Sequence, residues 1–315
     1  MQKTPTAIRF FSARRILKGD LIPSLVLLLP SFALLTVFIA APLGYSLVMS
    51  LFDTPARNEL VFVGFNTYGH VLGDPAFWKA LLIGGRYALV IVPSQIIIAF
   101  LLASLATKLR RRFGAFFKVA VYIPCVLSGV VVGVIFLSVF QEDTGVFNAI
   151  LSALWKPFAL AGAKPFTPIA WLSDPSVDWL ACSVAVVWAG LGYTTLIMLG
   201  GLYDIPVDYY EAATIDGAGK LAKLFHITLP GLKNVFVYVL VSLIVSSVQV
   251  FEIPYIMTGK GQIGTTMGPI GFLFDKFNYD INKTYATVAS IVIAIILALL
   301  SSIIFRVISS EKSEA

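Results

Sequence analysis

Six apolar stretches, each long enough to cross a bilayer as a helix, constrain this chain more than any other feature. They lie near residues 21–51, 80–106, 119–140, 179–203, 235–258 and 285–308. A helix rises about 1.5 Å per residue, so roughly 20 apolar residues span a hydrocarbon core about 30 Å thick. Hydrophobic residues make up 58% of the 315 and charged residues only 13%, too little polar surface for a soluble domain. Nothing shows the roughly ten-residue alternation of a membrane β-barrel. The expectation is an all-α membrane protein with six transmembrane helices.

Orientation follows from the cations, because Lys and Arg beside a span tend to stay in the cytoplasm. With the N-terminus inside, the inner segments carry 15 basic residues, including Arg14, Arg15, Lys108, Arg110 to Arg112, Lys220 and Lys223, against 7 outside. The tails 1–20 and 309–315 and the loop 204–234 are therefore expected on the cytoplasmic face. The net charge of +6 is membrane-flanking charge and calls for no nucleic acid. The first apolar stretch exceeds the roughly 7 to 15 residues of a cleaved signal, so it reads as a retained helix although Ala40-Ala41 imitates a cleavage site. Cys125 and Cys182 fall inside spans, and His70 and His226 on opposite sides, so neither a disulfide nor a metal site is expected. The outer segments 52–79, 141–178 and 259–283 are too short for separate domains.

The loop 204–234 has its own local logic. Pro206 ends the preceding helix, Asp208 is placed to cap a new one, and Glu211, three positions on, completes a reciprocal cap. Ala212 and Ala213 leave little bulk, and Gly217 suits a left-handed stop. A second piece, from about Lys220 to Ile227, would carry the chain back to the membrane before Pro230 interrupts it. Local chemistry alone describes either a compact knob or an ordinary capped turn. No phosphate-binding loop exists: Gly219-Lys220 has Thr214 where the first glycine belongs and Leu221 after the lysine, and Gly259-Lys260 has Pro254 and Gly261 at those places. Any ATP must be hydrolysed on another polypeptide, and this chain carries no catalytic residue or cofactor of its own.

Glu211, Ala212 and Ala213, then Asp216, Gly217 and Ala218, and finally Ile227, Leu229 and Pro230 resemble the cytoplasmic EAA loop of membrane permeases of ATP-binding-cassette importers fed by a solute-binding protein. The likeness runs from about Pro23 to Ile308 and favours the carbohydrate, maltose or multiple-sugar type. Phe62 to Tyr68 is similar to that family's first outer loop, Asp143 to Asn148 to the start of its second, and Leu202 to Pro206 to its lead-in to the EAA loop. Phe251 to Tyr255 with Thr258 to Gly261 matches an outer pattern in which Glu252 replaces the usual Asp; Lys260 and Gln262 interrupt its ending, and Asn234 replaces a second proline.

The resemblance implies a type I importer permease fold with an EAA coupling-helix loop, in a bacterial or archaeal plasma or inner membrane. It implies alternating access through a pore of two permeases, this chain and a related, different one. Two cytoplasmic ATPases, holding ATP and magnesium, and an extracytoplasmic binding protein would complete the assembly. Coupling to the ATPases falls on Glu211 to Gly217.

The solute path is less marked, since the hydroxyls and aromatic faces that bind sugar also pack helices. Ser242, Ser246 and Gln249 share one face of the fifth span, and Glu252 continues it, with Pro254 placed to break the helix there. The same serines would equally serve interhelical packing. Tyr193, Thr194 and Trp188 are further candidates on the fourth span. Two alternatives stand beside a sugar importer: an ion-coupled secondary transporter using Glu252 and Arg86, and an importer of glycerol phosphate-type solutes. A lipid-linked transferase would need clustered acidic ligands or a nucleophile at the interface, and neither is evident.

Overall fold

The computed structural model describes residues 21–53, 60–259, 265–278 and 283–309, and contact analysis divides it into a unit up to Thr67 and a unit from Tyr68 onward. The tail expected over 1–20, and Lys260 to Gln262 of the outer motif, lie outside the described residues.

The first unit holds α1 (Leu21–Leu35), a five-residue π-turn (Thr36–Ala40) and α2 (Ala41–Met49). The Ala41 amide bonds back to the Thr36 carbonyl, a slip of one residue just before Pro42, whose ring nitrogen has no proton to donate. Most side chains of the span Val26–Met49 are exposed; Leu27 is 78% and Phe38 71% exposed, as for side chains solvated by lipid or another protein. A two-residue hairpin, β1 (Phe52–Asp53) and β2 (Val61–Phe62), follows, with Phe52 opposite Phe62. The second unit begins within α3 (Asn66–Gly73), at Tyr68.

Its axis is α4 (Pro75–Ala106), which packs along α8 (Asp178–Asp204) and α12 (Lys233–Val248). Asp74 starts α4 by accepting the Ala76 amide at 2.8 Å, with Pro75 at the first position, where no amide proton is needed. Gly84 lies where α4 meets α12 and α14 (Pro269–Asn278); a β-carbon there would stand 2.9 Å from Pro269. Gly192 similarly lets α8 approach α5 (Arg111–Val126), since its β-carbon would fall 2.6 Å from the Val121 carbonyl. Small residues at close crossings are how helices pack without a hydrophobic drive between them. α15 (Lys283–Ser309) closes the unit against α12 and α14.

Two spans differ from straight rods. In place of one helix over 119–140, α5 and α6 (Gly129–Val139) are bent by 98° at Leu127 and Ser128. Pro124 lacks the amide that would continue the ladder, and the Ser128 hydroxyl caps α6 by accepting the Val131 amide at 3.4 Å. The fifth span is interrupted over 249–251 and resumes as α13 (Glu252–Met257). Pro254 therefore does not make the break: it sits in the first turn of α13, where its missing N–H is harmless. The segment 141–178 contains α7 (Val146–Leu160), tied down by Asn148, whose side chain bonds the Glu142 and Ile169 carbonyls at 2.9 Å and accepts from Trp171 at 2.9 Å.

Candidate functional site

A cavity of about 420 Å³ opens among α4, α5, α8, α12 and α13. Its lining is chiefly apolar, with Ile91, Ile197, Leu243 and Ile253, and its polar groups are Gln95, Tyr193, Thr194, Tyr238, Ser242 and Ser246. Among the described residues no acidic or basic side chain lines it. Gln95 Nε2 donates to Thr194 Oγ1 at 3.0 Å, both residues being at most 3% exposed, and Thr194 in turn donates to the Gly190 carbonyl at 3.3 Å. Gly190 is what admits the Gln95 amide, for a β-carbon at 190 would overlap it. Across the cavity the Tyr193 and Tyr238 hydroxyls meet at 3.0 Å, linking α8 to α12.

Of the residues expected on the solute path, Tyr193, Thr194, Ser242 and Ser246 line this cavity. Gln249 does not, because α12 ends at Val248 and the helical phase that would have carried the face onward stops there. Glu252 does not either: it opens α13 and its carboxylate lies against Gly129 at the start of α6. Trp188 packs edge-on against Phe136 at 5.4 Å in the core. It precedes Tyr193 by five residues, about 140° around the helix, so the two cannot face the same space. Gln95 and Tyr238 went unnoticed in the sequence; a lone glutamine in a 32-residue apolar helix was the available signal for the first.

The loop after α8 folds as a knob. α9 (Val207–Ile215) begins without the expected reciprocal cap: Pro206 occupies the capping position, no side chain accepts an amide there, and Asp208 is the second residue of the helix. Proline's fixed φ presets the turn, and an acidic group in the first turn still favours the positive end of the helix. The end of α9 is as the sequence indicates. Gly217 takes φ +76°, the Ala218 amide bonds the Ala213 carbonyl at 2.8 Å and the Gly217 amide bonds the Thr214 carbonyl at 3.1 Å, a Schellman closure.

The return limb is α10 (Lys220–Lys223), a π-turn (Leu224–Thr228) and α11 (Leu229–Gly231), leading into α12. Pro230 does not interrupt it. The Leu229 amide reaches the Leu224 carbonyl five residues back, and the helical path continues through Pro230. The limbs are joined by Tyr210 to Thr228 at 3.0 Å and by Lys223 Nζ donating to Thr214 Oγ1 at 2.6 Å. Ala212, Ala213, Asp216 and Pro230 share one groove of about 610 Å³ with Tyr209 and His226, whereas Glu211, Gly217 and Ala218 lie outside it. Ile215, 87% exposed, projects from this short polar loop.

A helical membrane chain with a knobbed interhelical loop and an uncharged cavity defines a class, the permease subunits of binding-protein-dependent importers. The chain belongs to the family described as binding-protein-dependent transport system inner membrane component, whose model matches residues 95–313. It is 31% identical over 282 residues to the probable ABC transporter permease protein YurN of Bacillus subtilis, covering 89% of this chain and 91% of that one. It is 30% identical to the lactose transport system permease LacF of Rhizobium radiobacter, covering 90% and 93%. It is 32% identical to the arabinooligosaccharides permease AraP of B. subtilis, covering 88% and 86%. A subunit of a bacterial ABC transporter involved in the import of the acidic polysaccharide alginate shares the fold at TM-score 0.77 and 18% identity, covering 94% of this chain and 98% of that one.

Proposed function

We propose that this chain forms half of the translocation path for a sugar or oligosaccharide delivered by an extracytoplasmic binding protein, in the plasma or inner membrane of a prokaryote. The uncharged cavity carries the reading: hydroxyls, one carboxamide and tyrosine rings suit neutral polyols, and its volume falls within the roughly 300–1,000 Å³ of small-molecule sites. A glycerol phosphate would call for a cation there. An ion-coupled pair of Glu252 and Arg86 is disfavoured because Arg86 stacks on Trp179 at 4.2 Å while Glu252 lies against Gly129. The sugar-named relatives support the same class of cargo.

The knob around Glu211 to Ala218 is the docking point for a separate cytoplasmic ATPase that holds ATP and magnesium. α8 enters the knob and α12 leaves it, and both line the cavity, so a push at α9 is delivered to the cavity walls. Both termini are cytoplasmic on this reading, and the second half of the pore is a related, different permease. The test is ATP hydrolysis by the purified assembly in lipid nanodiscs with its binding protein, against neutral oligosaccharides and glycerol phosphates. Stimulation by a loaded sugar-binding protein is expected. Uptake driven by an ion gradient, with no ATPase in the assembly, would overturn the proposal.

A further inference from the structure

A second groove, on the other side of the knob from Asp216 and Pro230, has chemistry unrelated to sugar. It measures about 790 Å³ and runs from the end of α4 (Phe100, Leu101, Ser104, Lys108) across Tyr203 and Tyr210 to Lys220, Leu221, Lys223 and Leu224. Among the described residues its lining holds three lysines and no carboxylate. Lys223 donates to a neutral hydroxyl, that of Thr214. A fourth cation, Lys118, stands 5.3 Å over the Tyr203 ring.

The apolar and basic parts are layered along one helix. Leu101 lies within α4, five residues before its end at Ala106, and Lys108 follows in the turn just past that end, its amide still bonding the Leu105 carbonyl at 3.0 Å, so Leu101 lies about 10 Å deeper by a rise of about 1.5 Å per residue. One headgroup layer is roughly 5–7 Å thick. With Lys108 at the level of lipid phosphates, Leu101, which is 60% exposed, therefore falls among acyl chains. A soluble anion would use the lysines and leave the apolar wall wet; an acidic protein surface would leave the lower wall uncovered.

From this layering we infer that the groove binds one anionic phospholipid, its phosphate among Lys108, Lys220 and Lys223 and an acyl chain along Phe100 and Leu101. A basic pocket between helix ends at the cytoplasmic face is suited to acidic headgroups. A bound lipid here touches both the end of α4 and the knob, so it would steady α10 against α4. The inference rests on this end facing the cytoplasm. Labelling of a Lys220→Cys variant by an impermeant maleimide in inverted vesicles tests that sidedness separately.

The experiment is native mass spectrometry of the purified assembly in neutral detergent, titrated with phosphatidylglycerol or with phosphatidylcholine of the same chains, a measurement that does not depend on sidedness. At least fivefold stronger retention of phosphatidylglycerol is expected, falling toward parity in Lys108→Gln/Lys220→Gln and persisting in the Lys108→Arg/Lys220→Arg variant. Should the glutamine variant not assemble, a photoreactive residue at position 101 of the otherwise native chain should crosslink to phosphatidylglycerol. Equal retention of both lipids, an unchanged preference in the glutamine variant, or glycerol phosphate binding as well as the whole lipid would overturn the inference. Loss of the lipid whenever the ATPase is bound would also overturn it, making the groove a protein interface.

Discussion

Gln95 on α4 donates to Thr194 on α8 at 3.0 Å, and this bond is made possible by the missing side chain of Gly190 one helical turn earlier. A carboxamide so deep in an apolar bundle keeps one further N–H and the two lone pairs of its oxygen for whatever enters the cavity. Leaving a buried donor or acceptor unpaired costs about 1–3 kcal/mol, so the arrangement is held by its own network.

Gln95→Ala is therefore expected to weaken uptake by about five- to tenfold while leaving assembly intact, as befits loss of roughly 1 kcal/mol of hydrogen bonding. Gly190→Ala should mimic it by displacing the Gln95 side chain. In the Gln95→Ala background, Gly190→Ala should cost much less, and a double-mutant cycle on transport KM measures the coupling. Additive effects would show that the two residues act separately.

A second expectation concerns the tyrosine pair. Tyr193→Phe and Tyr238→Phe each remove one side of the 3.0 Å hydroxyl contact between α8 and α12. Either substitution, or both together, should change substrate affinity to a similar extent, with a coupling of about 0.5–3 kcal/mol in the cycle. Uptake assays on the three variants decide it.

The knob was legible because its signals are local. A glycine four residues beyond the EAA stretch, followed by Ala218, is enough to specify a left-handed closure, and the structure shows it at Gly217. The start of α9 was misassigned because two residues competed for the capping position and the proline, which fixes its own φ, took it from Asp208. The cavity was only half legible. Ser242 and Ser246 follow from helical spacing, but Gln249 and Glu252 were added on the assumption of a straight helix, which the interruption at 249–251 breaks. Gln95 and Thr194 are 99 residues apart, and nothing local joins them.

Gly217 gives the third prediction. Nothing lies within 4 Å of a β-carbon built there, so any cost of substitution comes from φ +76° alone. Gly217→Ala should cost about 1–2 kcal/mol locally, loosening the Schellman closure. Gly217→Asp and Glu211→Lys add a charge change at the exposed knob. All three should lower sugar-stimulated ATP hydrolysis or ATPase co-purification without loss of membrane insertion. Normal uptake in the charge variants would remove the knob from the coupling route.

The last prediction concerns acid stability at the other end of α4. Burial works against ionising Asp74, yet the Tyr285 hydroxyl at 2.6 Å, the Ala76 amide and the nearby Lys276 charge together hold its carboxyl below the usual carboxylate range. A carboxyl whose pKa is depressed in the folded state stabilises it above the unfolded pKa, and that contribution is lost as pH falls through the folded value. The loss is therefore confined to acid below about pH 4, the ordinary range of an aspartate. Asp74→Asn should flatten this part of the unfolding profile and lower the Tm at neutral pH, because a neutral amide caps α4 nearly as well but is a weaker partner for Tyr285. Tyr285→Phe should produce the same flattening, since it removes the donor that favours the ionised form. Thermal unfolding of the three proteins in detergent between about pH 3 and 7 checks both, and an acid limb as steep in the variants as in the native chain would assign it to other carboxylates.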